Sequence, residues 1–258
     1  MMLVSIGSRV ALWNGISIGL GFEPKLSDGE ALFHGLDAAK NFEPLLREFS
    51  LSRGNNVIVI DPGHGGENKG TKSVAAEQYE KDYTLDWALR LRPLLEARGW
   101  TVVLTRTNDC DLSLADRVAL ADQAQAQLFV SLHFNSLDPR HALRAEIGGL
   151  ETYCLTPKGM AYNLVREFGD DPQREFPNNQ FDIENLQYAA QLHRSLIETT
   201  QLRDRGVRRA RFMGVLQGQN RPAVLIEGGY LSHPQEARLI GSPEYRQKLA
   251  EGVALALQ

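Results

Sequence analysis

The most informative segment of the chain is Val57-Ile58-Val59-Ile60-Asp61-Pro62-Gly63-His64-Gly65-Gly66. Its first four residues are apolar and β-branched, which is typical of a strand buried on both faces. A polar, glycine-rich turn that contains a histidine follows directly. Because strands of this kind belong mainly to parallel sheets covered by helices, we expect an α/β domain with functional residues at the end of this strand.

Strand and helix patterns alternate from this segment to the end of the chain. The predicted strands are residues 57–60, 101–105, 128–132, 150–155 and 223–226, and the predicted helices are 82–98, 113–125, 185–199 and 244–257. Pro93 should kink the first helix because proline lacks an amide donor. The alternation predicts an α/β fold, with a mostly parallel, twisted sheet flanked by helices.

Residues 1–53 differ in character from the rest of the chain. Two strand-like segments, 9–13 and 16–20, flank Asn14-Gly15, the dipeptide best suited to a tight hairpin turn. A helical stretch follows at 36–49, and residues 52–56 have the composition of a linker. We expect a small β-rich N-terminal appendage over 1–53 and a catalytic domain over 54–258. The appendage either binds substrate or packs on the catalytic domain, and packing is the simpler expectation.

Composition and charge exclude several classes of protein. The chain has 28 Lys and Arg against 32 Asp and Glu, and its densest basic cluster lies at 203–211. We interpret this cluster as a solvated rim. Because a protein that binds nucleic acid usually has a sustained basic face, we expect no nucleic-acid partner. It has no apolar run long enough for a transmembrane segment. Its first 22 residues lack the basic start and continuous apolar centre of a secretion signal. The two cysteines, Cys110 and Cys154, fit either two thiols or a single bridge.

Polar side chains follow three of the predicted strands. His64, His133 and Glu227 each come shortly after an apolar run, and Glu80 lies at the start of a predicted helix. Because the carboxyl ends of parallel strands meet at one edge of a sheet, we expect the first three residues to lie close together.

Two imidazoles and nearby carboxylates suit a hydrolytic zinc site. Such sites use three nitrogen or oxygen ligands and leave a position for water, whose pKa the metal lowers, while a carboxylate moves the proton to the leaving group. Each residue also has a plainer explanation: a histidine can be structural, and Glu80 can interact with the helix dipole. Glu227 is harder to explain in this way, because a carboxylate directly after four apolar strand residues is costly to bury without a partner.

A series of motifs in the chain resembles the zinc-dependent N-acetylmuramoyl-L-alanine amidases of type 3. The resemblance covers residue 57 to the C-terminus and is carried by motifs in the same order. They are Val59-Ile60-Asp61-Pro62-Gly63-His64-Gly65-Gly66, Glu80-Lys81-Asp82, Val102-Val103-Leu104-Thr105-Arg106, Leu114-Ala115-Asp116-Arg117-Val118, Val130-Ser131-Leu132-His133-Phe134-Asn135, Asp204-Arg205-Gly206-Val207 and Pro222-Ala223-Val224-Leu225-Ile226-Glu227-Gly228-Gly229-Tyr230-Leu231-Ser232.

The resemblance implies a specific site and reaction. His64, Glu80 and His133 would bind one Zn²⁺ per chain, and Glu227 would be the general acid/base. The family hydrolyses the amide between N-acetylmuramic acid and the L-alanine of the stem peptide, so peptidoglycan is the expected partner. The expected location is the cell envelope, periplasmic or extracellular. For Arg106, Arg117 and Asn135 the family-like segments imply structural or supporting roles.

The segment 156–184 is long for a connection inside a compact domain. In some relatives an insertion near this position carries a helix that blocks the zinc until an activator protein binds, so an activator is a further candidate partner. We interpret the segment here as a wall of the substrate groove. Its acidic residues could reach a metal, but we interpret them as exposed: Glu167, Glu175, Asp182 and Glu184.

Two rival hypotheses use the same residues. The chain could be a catalytically silent or activator-dependent peptidoglycan-binding protein, or a zinc peptidase or deacetylase that acts on another amide. The complete set of three ligands and one carboxylate favours the active amidase, because a protein that has lost activity has usually also lost one of its ligand residues.

Overall fold

In the computed structural model, which describes residues 1–49, 54–161 and 170–258, apolar segments form the strands of a central sheet. The strands are β1 (Met2–Val4), β2 (Val10–Trp13), β3 (Ile16–Gly19), β4 (Lys25–Ser27), β5 (Glu30–Leu32), β6 (Val57–Pro62), β7 (Thr101–Leu104), β8 (Leu128–Asn135), β9 (Leu150–Cys154), β10 (Asp204–Arg209) and β11 (Ala223–Tyr230). The helices are α1 (Gly35–Asp37), α2 (Glu43–Leu46), α3 (Glu80–Glu96), α4 (Leu114–Gln123), α5 (Asp182–Thr200), α6 (Gly214–Gln217), α7 (Pro234–Gly241) and α8 (Pro243–Ala256). A π-helical segment, Ala38–Phe42, joins α1 to α2, and a 3₁₀-helix, Pro177–Phe181, precedes α5.

Nine strands form one mixed sheet in the order β1-β2-β3-β10-β9-β11-β8-β6-β7. The strands β11, β8, β6 and β7 are parallel to one another, as are β3, β10 and β9. The strand β9 runs antiparallel to β11, so it begins at the edge of the sheet where β8 and β11 end. The predicted α/β fold with a mostly parallel sheet flanked by helices is confirmed.

Apolar packing covers both faces of the sheet. On one face, α3, α5 and α8 pack on alternate strand residues such as Ile58, Ile60 and Val130. The intervening residues, such as Val59 and Phe129, face the opposite way and pack with α4 and α6. Two covered faces explain why these strands read as continuous apolar runs in the sequence.

The predicted N-terminal hairpin is confirmed and extends the main sheet. Asn14 and Gly15 both have positive φ, 46° and 90°, and connect β2 to β3, as a tight hairpin turn requires. Ile18 of β3 pairs with Val207 of β10. The strands β1–β3 therefore continue the sheet of the predicted catalytic domain. The predicted division between 53 and 54 stays a prediction, and residues 50–53, including the start of the predicted linker, lie outside the described residues.

Three local sequence expectations have clear outcomes. The helix α3 continues through Pro93, which lies on its exposed side, where water can satisfy the carbonyl that proline leaves without a helical donor. Ser113 caps α4 by accepting from the amide of Asp116 and forms a capping box with it. Cys110 and Cys154 are both free thiols.

The basic cluster at 203–211 contains a strand that the sequence analysis missed. Residues 204–209 form β10, and Arg209 is only 1% exposed, so the interpretation of this cluster as a solvated rim is wrong. The Arg209 guanidinium donates to the carbonyls of Leu155 and Lys40 and to Asn41 Oδ1. Arginine can be buried in this way because several oxygens satisfy its donors at once. These contacts join the N-terminal helical segment to β9 and β10.

A buried polar network also fixes the N-terminal strands. Asp204 Oδ2 accepts from the amide of Ser17 at 2.7 Å, and Asp204 Oδ1 lies 2.8 Å from His193 Nε2. The other ring nitrogen of His193 lies 3.0 Å from Thr152 Oγ1. Burial alone would raise the pKa of Asp204, but the hydrogen bonds and charge of His193 and the hydrogen bonds of Ser17 lower it below its ordinary value. The network links β3, β9, β10 and α5.

Replacing Asp204 with asparagine should lower the free energy of unfolding by about 1–2 kcal/mol at neutral pH. Since the folded-state pKa is depressed, the ionised carboxylate stabilises the fold above the ordinary Asp pKa of about 3.9, and this contribution is lost as pH falls through the folded-state pKa. Urea unfolding between about pH 7 and pH 3 should show a difference from wild type that narrows on acidification. Asp28→Asn, in an exposed turn, is the control. A difference that stays constant with pH would contradict this explanation.

Candidate metal centre

Asp61 anchors the loop that follows β6. Its buried carboxylate accepts from Thr105 Oγ1 at 2.6 Å, Ser131 Oγ at 2.7 Å and Arg117 Nη1 at 2.5 Å. These partners come from the end of β7, from β8 and from α4. One carboxylate therefore connects the elements on either side of the His64 loop, and a buried ion pair of this kind is stable only when such extra hydrogen bonds are present.

Two buried arginines hold the loop backbone. Arg117 donates to the carbonyls of Pro62 and His64 at 3.1 and 2.8 Å. Arg106 donates to the carbonyls of Gly63 and Lys81 at 2.9 and 2.8 Å, and so joins the loop to the first turn of α3. The backbone of His64 has a φ of +63°, an uncommon conformation for a residue with a side chain, which these contacts help to hold. The supporting roles implied for Arg106 and Arg117 agree with these contacts.

Two glycines allow the loop and the side chains of the site to approach each other closely. A Cβ atom on Gly63 would lie 2.2 Å from Cε1 of His133. Gly70 has a φ of +65°, and a Cβ there would lie 2.7 Å from both Glu80 Oε2 and His64 Cδ2. Glycine is therefore required at both positions for the observed packing.

His64, Glu80 and His133 converge at the carboxyl edge of the sheet. His64 Nε2 lies 3.1 Å and His133 Nδ1 lies 3.0 Å from the same oxygen, Glu80 Oε1. One potential ligand atom from each residue lies within 4.8 Å of the others. Among the described residues, these three are the ones that lie close enough together to bind one metal ion.

Hydrogen bonds to residues outside the group orient His64 and Glu80. His64 Nδ1 lies 2.8 Å from Asn68 Oδ1, which favours a proton on Nδ1 and directs Nε2 into the site. Glu80 Oε1 accepts from the amide of Phe134 at 3.0 Å, and Oε2 accepts from the amide of Thr71 at 3.1 Å. Glu80 is the first residue of α3, which begins two residues before the predicted start at 82.

The site has a strong local electrostatic field. Burial would raise the pKa of Glu80, but hydrogen bonds with His133 and His64 and the charges of these histidines hold it far below its ordinary range. Burial would lower the pKa of His64, but the hydrogen bond and charge of Glu80 raise it above its ordinary value. A metal cation between the three side chains would stabilise the ionised Glu80 carboxylate in the same way as the positive charge of a protonated histidine does.

The donor set fits zinc. Three ligands about 2.0–2.1 Å from a tetrahedral zinc ion would be separated by about 3.3 Å, close to the two distances measured from Glu80 Oε1. Two imidazole nitrogens and one carboxylate oxygen are the donors of hydrolytic zinc sites, which keep a fourth position open. A possible His–Glu–His metal site is therefore present in the chain.

Glu227 lies beside this group on the same face of the sheet. It is half-buried, and its Cα is paired with that of His133 in the parallel pair β11–β8. Paired residues in neighbouring strands direct their side chains to the same face. His133 and Glu227 lie inside longer strands rather than after them, because β8 and β11 run to residues 135 and 230.

A buried carboxylate next to Glu227 was missed by the sequence analysis. Glu151 of β9 is paired with Glu227 of β11 and is only 1% exposed. It accepts from Asn135 Nδ2 at 2.8 Å, from Tyr153 Oη at 2.9 Å and from Arg205 Nε at 2.8 Å. The signal in the sequence was a glutamate inside an otherwise uncharged strand, because a buried carboxylate is costly without partners. Asn135, for which the family resemblance implied a supporting role, orients this carboxylate.

A cavity of about 370 Å³ opens beside the two histidines. It lies on the α4 side of the sheet, between the His64 loop and residues 212–215. Its lining includes polar Asn68 and Ser113 and apolar Leu112, Phe212 and Met213. A groove of this size can hold part of an extended substrate next to the candidate metal site.

The acidic residues of 156–184 belong to other contacts. Asp182 is buried and pairs with Lys40 at 3.1 Å, so its interpretation as exposed is wrong. Glu175 is exposed and pairs with Lys158 at 2.8 Å. Glu184 is exposed in the first turn of α5, as predicted, while Glu167 lies outside the described residues.

Comparison with known proteins identifies the family. The sequence profile described as N-acetylmuramoyl-L-alanine amidase, of the Amidase_3 family, matches residues 58–258. The chain belongs to this family. The match begins at the second residue of β6 and contains all four proposed site residues.

Sequence relatives and solved structures agree with this assignment. The germination-specific N-acetylmuramoyl-L-alanine amidase of Bacillus subtilis is 29% identical over 221 residues, which cover 80% of this chain and 80% of the relative. The catalytic domain of the amidase CwlV from Bacillus (Paenibacillus) polymyxa var. colistinus is 30% identical with a TM-score of 0.62 and covers 78% of this chain and 95% of that one. The Clostridioides difficile amidase CwlD, solved in complex with the GerS lipoprotein, is 25% identical with a TM-score of 0.64, with 78% and 96% of the two chains covered.

Replacing Arg117 with methionine should lower the free energy of unfolding by about 3–5 kcal/mol, because it removes the positively charged partner of the buried Asp61 carboxylate. Urea unfolding at neutral pH measures the change. Arg92→Met is the matched control, since Arg92 forms an exposed pair with Glu96 on α3 and its removal should change stability little. Equal effects of the two substitutions would contradict the anchoring role of the Asp61–Arg117 pair.

Proposed function

We propose that this chain is an active N-acetylmuramoyl-L-alanine amidase, which hydrolyses the amide between N-acetylmuramic acid and the L-alanine of the peptidoglycan stem peptide. The observation that carries the proposal is the convergence of two imidazoles on one oxygen of Glu80, with Glu227 on the neighbouring strand. Membership of the amidase family supports the choice of substrate.

The proposal includes one Zn²⁺ per chain, held by His64, Glu80 and His133. When bound there, zinc would supply Lewis-acid chemistry, which lowers the pKa of water and polarises the carbonyl oxygen of the scissile amide. Asn68 would keep the His64 ring in the orientation that binds, and the backbone amides of Phe134 and Thr71 would orient the Glu80 carboxylate.

Glu227 would act as the general acid/base. Its carboxylate would accept a proton from the attacking water and then deliver that proton to the nitrogen of the departing alanine. The products are the free lactyl carboxyl group and the free amine of the stem peptide, so atoms and protons balance. Glu227 is followed by two glycines, Gly228 and Gly229, and Gly229 has a φ of +126°. Because neither glycine has a side chain, no side chain of these two residues covers the backbone after Glu227.

The positions of these residues would orient the substrate. His64 and His133 come from β6 and β8, whereas Glu227 comes from β11, on the far side of β8 from β6. The nitrogen that Glu227 protonates must lie on the β11 side, so the stem peptide would leave toward β9 and β10. The muramoyl half would then lie toward the cavity beside His64.

A place of action and a partner complete the proposal. The relatives include the probable cell wall amidase LytH of Staphylococcus epidermidis, which supports an activity of this chain at the cell envelope. The amidase CwlD forms a complex with the GerS lipoprotein, which supports an accessory protein as a second partner beside peptidoglycan. If the enzyme depends on such a protein, the purified wild type will bind zinc but will not cleave muropeptides until that protein is added. No helix in the described part of the chain has the length and apolar character needed to cross a membrane.

Purified wild type should contain about one zinc ion per chain, and His133→Ala should lose most of it, because two ligands hold zinc poorly. Metal analysis after gel filtration gives the stoichiometry. Chelation should abolish release of stem peptides from muropeptides, and added zinc should restore it. His141→Ala is the control, since His141 is exposed and is not one of the three grouped residues. Full activity in protein free of zinc would overturn the metal assignment.

Glu227→Gln should keep its zinc but lose activity by about 10²–10⁴-fold, because glutamine cannot transfer the proton. Mass analysis of digested peptidoglycan measures the products, and metal analysis shows whether the site is intact. Glu244→Gln, in the first turn of α8, is the matched control and should cleave like wild type. Equal cleavage by wild type and Glu227→Gln would rule out the general acid/base role.

A further inference from the structure

Two arginines share one buried carboxylate next to the candidate site. Arg205 Nε and Arg208 Nε lie 2.8 and 3.4 Å from the same atom, Glu151 Oε1. Two guanidinium groups thus meet a single carboxylate, and this group of three carries a net positive charge. The Glu151 side chain is 1% exposed, whereas those of Arg205 and Arg208 are 19% and 22% exposed. The excess positive charge therefore faces solvent.

The donors of Arg208 are only partly used. Its Nε donates to the carbonyl of Arg205 at 3.0 Å, and in the described ranges its two terminal nitrogens donate to no protein group. Arg205 is more constrained, because it is hydrogen-bonded to Glu151 and lies 5.4 Å from the centre of the Tyr230 ring. Arg208 therefore presents the planar pair of donors that binds a carboxylate in two-point fashion.

The position of the arginines relative to the candidate site is set by the sheet order. Side by side in the sheet lie His133 on β8, Glu227 on β11, Glu151 on β9 and the arginines on β10. Arg208 pairs with Tyr153, two residues along β9 from Glu151, and its side chain reaches back to the Glu151 carboxylate. With strands about 4.8 Å apart, β10 lies about 10 Å from β11. An extended peptide gains about 3.5 Å per residue. If the first residue of a substrate peptide lies beside Glu227, its second and third residues can therefore reach β10.

We propose that Arg205 and Arg208 form a subsite for the free carboxylates of the stem peptide, with Arg208 as the main contact. The inference rests on the proposed function, since Glu227 must protonate the alanine nitrogen for the peptide to run in this direction. Stem peptides carry free carboxylates on the residues that follow alanine, and peptidoglycan also contains forms in which these carboxylates are amidated. Glu151 holds both guanidinium groups in place and lowers the cost of bringing two like charges together.

The subsite predicts discrimination between acidic and amidated substrates. A charge-assisted, two-point contact should favour the free carboxylate by about 10-fold or more in kcat/KM, and mainly through KM. An amidated carboxylate offers one acceptor and no charge, so Arg208 would gain little from it.

The experiment compares muramoyl-tripeptides that are unmodified, amidated on the second residue or amidated on the third. Wild type should prefer the acidic substrate, Arg208→Ala should lose this preference, and Arg208→Lys should keep part of it as a point charge. Arg92→Ala, at an exposed position on α3, should behave as wild type. Thermal unfolding of all variants separates recognition from a loss of stability. An Arg208→Ala variant with unchanged preference, or a wild type without preference, would overturn the subsite.

Binding by the Glu227→Gln variant separates this inference from the proposed function. Calorimetric titration of Glu227→Gln with the three tripeptides should show tighter binding of the acidic one, and the double variant Glu227→Gln/Arg208→Ala should bind all three alike. If wild type cleaves none of the substrates but Glu227→Gln still discriminates through Arg208, the amidase activity fails and the subsite stands. If wild type cleaves all three substrates equally well, the amidase activity stands and the subsite fails.

Discussion

The carboxylate of Asp61 is the interaction on which the site depends. It is buried near the carboxyl end of β6 and is hydrogen-bonded to Thr105, Ser131 and Arg117, which come from three different parts of the chain. Without these partners a buried charge at this place would cost several kcal/mol. With them, Asp61 fixes the position of Arg117, and Arg106 and Arg117 donate hydrogen bonds to the backbone carbonyls of the turn after β6. The left-handed backbone of His64 and its position beside Glu80 follow from this support.

Much of the fold was predictable because the sheet is buried on both faces. Runs such as Val57-Ile58-Val59-Ile60 carry that constraint in four consecutive residues, and the parallel arrangement then brings His64, His133 and Glu227 to one edge. The strand β10 was not predictable from the same rule, because it reads Asp204-Arg205-Gly206-Val207-Arg208-Arg209 and its charged side chains are satisfied by distant partners. The buried Arg209 contacts residues as far away as Lys40, which no local pattern reveals.

Within the candidate site, local sequence and tertiary structure contribute differently. The glycines around His64 and the helix start at Glu80 are visible in the sequence, but the sharing of Glu80 Oε1 between two histidines depends on the relative placement of β6, β8 and α3. Glu151 is a similar case, because its role depends on pairing with Glu227 across an antiparallel step in the sheet. The family resemblance supplied Glu80 where local reasoning alone was weakest, and the structure places it next to both histidines.

The reversed direction of β9 has a consequence for how this fold can diversify. Since β8 ends and β9 begins at the same edge, the connection of residues 136–149 leaves the sheet and returns without crossing either face. Its middle part is exposed, while Leu137 is tied at one end to Ser232 and Gly148 is buried at the other. Such a loop can be lengthened, shortened or exchanged while both anchors and the strand register persist. The loop at this edge of the sheet is thus an independently variable module, open to loop grafting, in a scaffold that keeps His64, Glu80 and His133 in place.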